Sequence, residues 1–161
     1  MKGLGLFRRR KLKLSNETDR PQKAIVKPFS YPPKIILAWA KAIEGNTEIL
    51  NFLNDNGYKE LVMATHAIRL KDEARDWLMK NGYPHVFAMI NAAEGNAEAL
   101  KWLQLNKMDV FYNMALAIDH ENEGFEWLKR HATQDIFLLT KSIQKVKDEI
   151  EERHNDVHIR G

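Results

Sequence analysis

The chain has 161 residues, 44% hydrophobic and 29% charged, which is enough for one domain, or one domain and a tail, with a buried core. It contains no cysteine, which excludes disulfides, thiolate metal sites, iron–sulfur ligation and a cysteine nucleophile. No apolar run approaches the roughly 18 residues of a membrane helix, so a protein without a transmembrane segment, located in the cytoplasm, is expected.

The net charge of +3 is unevenly divided. Residues 1–34 carry ten basic and two acidic side chains, whereas the remainder is net acidic. Pro21, Pro28, Pro32 and Pro33 disfavour regular structure there, and residues 1–33 read as an extended or disordered basic arm. Leu4–Phe7 is too short for the apolar core of a secretory signal. Arg8, Arg9, Arg10, Lys11 and Lys13 form the one dense cationic cluster, suited to a phosphate backbone and hence to nucleic acid or a ribonucleoprotein.

From residue 34 the chain repeats with a period of 25 residues, in units 36–60, 61–85, 86–110 and 111–135, with a capping unit 136–158 in the same register. The first position of each unit is Ile36, Leu61, Val86, Phe111, Ile136; the fourth is Trp39, Ala64, Met89, Met114, Leu139. The eighth is Ile43, Ile68, Ala93, Ile118, Ile143. Positions 1, 4 and 8 follow the i, i+3, i+7 spacing of one helix face, and a small seventh residue (Ala42, Ala67, Ala92, Ala117, Ser142) admits a neighbouring backbone.

A second helix is predicted in the latter half of each unit. Asn46 and Asn96 suit its N-cap, and Glu48, Glu73, Glu98 and Glu123 place an acid against the positive end of its dipole. Leu53, Leu78, Leu103 and Leu128 form a column beside Phe52, Trp77, Trp102 and Trp127, which are expected to pack in the core or between units. Asn56-Gly57 and Asn81-Gly82 suit its C-terminal cap. Neither helix is long enough to be stable alone, so the core must form between units. The expectation is an all-α solenoid with a flexible basic arm, closed by a polar terminal unit in which Glu152 and Arg153 replace the aromatic–leucine pair.

Ala42–Leu53 (AIEGNTEILNFL, running on to Asn56-Gly57) and Ala92–Leu103 (AAEGNAEALKWL) resemble the helix–turn–helix half of an ankyrin repeat. The likeness is to short, divergent ankyrin-like repeats, without the Thr-Pro-Leu-His opening. It implies a protein-binding scaffold that lacks catalytic chemistry and uses its first-helix faces as the contact surface.

The sequence holds no phosphate-cradling glycine loop, no paired-histidine zinc motif and no nucleophile elbow. His154 and His158 stand at i, i+4 but in a terminal segment, and no metal or cofactor site is assigned. Positions 5, 6 and 9 of the first helices vary, and they mark a candidate partner-binding ridge. Its residues are Lys41 and Glu44, His66 and Arg69, Ile90 with Asn91 and Glu94, Leu116 with Asp119, and Lys141. The expected function is that of a non-catalytic adaptor, favoured as a monomer, that binds a protein partner through this ridge. The alternative is a nucleic-acid- or ribosome-associated protein anchored by the arm.

Overall fold

Position 10 of a unit decides whether the chain turns back on itself. Gly45, Leu70, Gly95 and His120 occupy it in the first four units, all with φ between +67° and +111°. Such a left-handed residue ends a helix and redirects the chain, at a cost of about 1–2 kcal/mol for Leu70 and His120, which carry a Cβ. The protein was described from a computed structural model covering residues 25–159. Among these residues it is all-helical. The helices are α1 (Pro33–Ile43), α2 (Thr47–Asp55), α3 (Lys59–Ile68), α4 (Asp72–Lys80), α5 (Pro84–Ala93), α6 (Ala97–Leu105), α7 (Asp109–Ile118), α8 (Asn122–His131) and α9 (Gln134–Ile159).

The ends of these helices follow the side chains that the sequence offers. The Asn46 and Asn96 carboxamide oxygens accept from the backbone N–H of Ile49 and Ala99, each at 3.0 Å. Asn56, Asn81 and Asn106 donate from Nδ2 to the carbonyls of Phe52, Trp77 and Trp102, at 2.7–2.8 Å. These bonds satisfy carbonyls that the last helical turn leaves open.

The odd-numbered helices touch in cyclic order: α1 on α3, α3 on α5, α5 on α7, α7 on α9, and α9 back on α1. Stacking of neighbouring units alone does not require that last contact. The even-numbered helices lie outside this ring, each against its own inner helix and the next one: α2 on α1 and α3, α4 on α3 and α5, α6 on α5 and α7, α8 on α7 and α9. Leu53, Leu78, Leu103 and Leu128 are fully buried where each outer helix meets the ring. The tryptophans beside the leucines are only partly buried; Trp77 stacks on Tyr83 at 6.1 Å, immediately before α5 begins.

Two expectations change here. Position 5 lies inside the core, not off it: Ala40, Thr65, Ile90, Ala115 and Thr140 are all buried. An inner helix with a neighbour on either flank needs a stripe that also includes i+4. The last unit, moreover, has no second helix. Its position 10 is Lys145, no left-handed residue breaks the chain there, and α9 runs straight on. The second half of α9 crosses the C-terminal ends of α5 and α7. It buries Val146 and Lys147, and Gln144 donates to the Ala117 carbonyl at 2.9 Å.

Of the N-terminal arm, residues 1–24 lie outside the described residues, and the cationic cluster falls among them. Residues 25–32 are non-helical and form a strap. The Lys27 N–H donates to the Gly82 carbonyl at 2.8 Å. Phe29 lies within 5.0–6.3 Å of the rings of Tyr31, Trp39, Tyr83, His85 and Phe111. Tyr31 donates to Glu60 at 2.6 Å; burial and that carboxylate both push its phenol pKa up.

Candidate interaction groove

The ridge does not form one continuous face. Ile90 is 1% exposed and belongs to the core, and Leu116 and His66 are half-buried. Burial, reinforced by Lys71, lowers the His66 pKa. Arg69 caps α1: its Nη2 and Nε donate to the Ile43 carbonyl at 2.6 and 3.2 Å. Asn91 accepts from Arg75 at 2.7 Å. Glu94 is held between Arg75 and Lys147. Burial works to raise the Glu94 carboxyl, but the hydrogen bonds from Arg75 and Lys147 outweigh it and hold the group below its ordinary value. Burial lowers Lys147 against the pull of Glu94. These residues fasten units to one another. Asp119 is exposed at the far end of the ring, beside His120, whose Nε2 lies 2.7 Å from Asp148.

Lys41, Glu44 and Lys141 are brought together. They line a groove of about 810 Å³ between α1 and α9. Its floor carries Leu37, Ala40 and Leu138, and its far end the acidic Asp148, Glu149 and Glu152. Leu37 and Leu138 are 41% and 43% exposed, although each belongs to a helix of the inner ring. Ser142 spans the groove and donates to Glu44 Oε1 at 2.7 Å. Lys141 lies over the Phe125 ring at 4.5 Å, which draws its ammonium towards α8.

The contacts of two outer helices, α8 and α4, explain why this groove is open. Gly124 of α8 sits so close to α7 that a Cβ there would collide with the Asn113 carbonyl and the Ala117 nitrogen. Asn113 and Ala117 are positions 3 and 7 of their unit; in the last unit those positions are Leu138 and Ser142. Phe125 of α8 packs edge-on against Phe137, position 2 of the following helix, at 5.4 Å; in the first unit that position is Leu37. Arg75 of α4 reaches the carbonyl of Ala67 (position 7) and the side chains of Asn91 and Glu94 (positions 6 and 9 of the next unit). The corresponding residues across the closing seam are Ser142, Lys41 and Glu44, and all three line the groove. The groove is therefore the place that a fifth outer helix occupies by register.

A reading by columns finds Lys41, Glu44 and Lys141 but misses Leu37, Leu138, Ser142 and the acidic end. The signal for them is the loss of both the position-10 turn and the aromatic–leucine pair in the last unit. A second cleft, of about 520 Å³, opens under the strap between the N-terminal ends of α1, α7 and α9, lined by Phe29, Tyr31, Met108 and Phe111 among others. His154 and His158 lie on the exposed end of α9, and the described residues contain no group of three or more metal-ligating side chains. No described helix is long and apolar enough to cross a membrane. No protein-family model matches the chain, and neither curated proteins nor solved structures provide a match.

Proposed function

We propose that this protein is a non-catalytic scaffold of ankyrin-like helix pairs that binds a protein partner, with the α1–α9 groove as its principal contact surface. The supporting observation is the exposure of Leu37 and Leu138 in a groove bordered by the ridge residues Lys41, Glu44 and Lys141. Apolar side chains at a junction between helices, rimmed by charge, are the composition of a binding surface.

The test compares three full-length chains in pull-downs from native lysate treated with nuclease: the wild type, Leu138→Asp, and a chain with Arg8, Arg9, Arg10, Lys11 and Lys13 replaced by alanine. Loss of the co-purifying proteins with Leu138→Asp alone supports the scaffold. Loss with the alanine chain, or on nuclease treatment of the wild type, transfers the function to the arm and to nucleic acid, where affinity falls steeply with salt.

A further inference from the structure

Among the described residues the inner ring has five helices and the outer layer four, so one seat has no occupant among them. We propose that a partner protein fills it with an amphipathic helix of nine or ten residues, the length of α2, α4, α6 and α8, lying antiparallel to α9 with a basic side chain on Glu44. This rests on the scaffold reading and names the conformation and chemistry of the partner segment.

The occupant's features follow from the helices already seated. Each outer helix inserts one leucine, fully buried, between two inner helices. In α4 and α8 a small residue, Ala74 or Gly124, is buried four residues before that leucine. The basic residue follows from Arg75, which reaches position 9 of the next unit at Glu94; Glu44 is that position in the first unit, and its recorded partner is the Ser142 hydroxyl. Charge fixes the direction. An antiparallel helix brings the positive end of its dipole to Asp148, Glu149 and Glu152. The chain's own last unit does not supply the helix, because α9 continues unbroken through Lys145. A second copy does not supply it from its outer layer either, because each of those helices already buries its leucine in its own ring.

The probe is a synthetic peptide of residues 71–82, the α4 segment, whose Arg75 already pairs with a position-9 glutamate. A lactam joins its Asp76 and Lys80, both exposed and one turn apart, so that helix formation does not limit binding. Binding to the full chain is measured by fluorescence anisotropy. Benzoylphenylalanine at position 138 reports the contacts by photo-cross-linking. The expected result is saturable binding that Leu138→Asp abolishes and Glu44→Lys weakens about tenfold, with recovery when the peptide carries Arg75→Glu. The cross-link is expected on the peptide face that carries Leu78.

Absence of saturable binding, or binding indifferent to both substitutions, overturns the proposal. A cross-link from position 138 to residues 1–24 of the same chain assigns the seat to that segment, and one to a second chain assigns it to a dimer; either also overturns it. If the peptide fails while Leu138→Asp still releases the pulled-down proteins, the helical occupant is wrong and the scaffold stands. If Leu138→Asp releases nothing, the scaffold reading falls by its own test.

Discussion

His85 offers the sharpest test of how the strap and the ring are held together. It is 2% exposed, and its ring lies 5.9 Å from Phe29, 6.1 Å from Tyr83 and 5.3 Å from Phe111. Neither ring nitrogen has a hydrogen-bond partner among the described residues. Burial therefore pushes its pKa down to about 4, and the Lys27 backbone opposes this only in part. The unfolded chain takes up a proton near the ordinary value of about 6.5, while the folded chain stays neutral down to about 4. Stability must then fall as pH drops through that window, because the unfolded state binds the additional proton. The loss attributable to His85 is about 2 kcal/mol at pH 5, approaching about 3 kcal/mol near pH 4. His85→Phe keeps an aromatic ring among its neighbours and removes the titration. Urea unfolding of both proteins at pH 7, 6, 5 and 4.5, followed by tryptophan fluorescence, isolates the effect as a difference that cancels the carboxylates common to both. The difference should widen by about 2 kcal/mol in favour of His85→Phe between pH 7 and 5. Parallel stability curves over that interval would falsify the account of a neutral imidazole sealed beneath the strap.

Four further outcomes follow from packing and capping. Leu103→Ala, at a fully buried position, should cost about 2–5 kcal/mol, and Trp102→Ala, at its partly buried neighbour, distinctly less; thermal melts rank the two. Gly124→Ala forces a Cβ onto the α7 backbone, and a loss of about 1–3 kcal/mol in chemical denaturation is expected, with a neutral result refuting the close approach. Asn46→Ala and Asn96→Ala each remove a cap worth about 1 kcal/mol, and the double variant should show the sum, because the caps belong to separate units. Glu94→Ala leaves Lys147 without its carboxylate in a buried position and should cost about 2 kcal/mol, whereas Lys147→Met should be nearly neutral; the opposite order in urea melts would refute an uncompensated buried ammonium as the source of the loss.

Local structure was legible because its causes are local. The Asn46 and Asn96 caps, the glycine turns and the 25-residue spacing of apolar columns depend on residues within one or two turns of each other. Position 5 was not legible, since Ala40, Thr65 and Thr140 read equally well as surface or core until a second flanking helix is known. Ile90 and Leu116 looked like an apolar surface for the same reason, and only Leu116 keeps partial exposure. The strap was missed because Phe29 and Tyr31 have no periodicity; rings from α1, α5 and α7 give them their place.

The amino-acid sequence alone determined the helical character of the repeat region, the pairing of helices within the first four units and the leucine column. Only the tertiary structure decided that α9 returns to α1, because closure depends on the small rotation that each unit adds, a sum over side-chain volumes that no single residue encodes. That closure sets Lys41 and Glu44 opposite Ser142 and turns a missing outer helix into a groove with two exposed leucines.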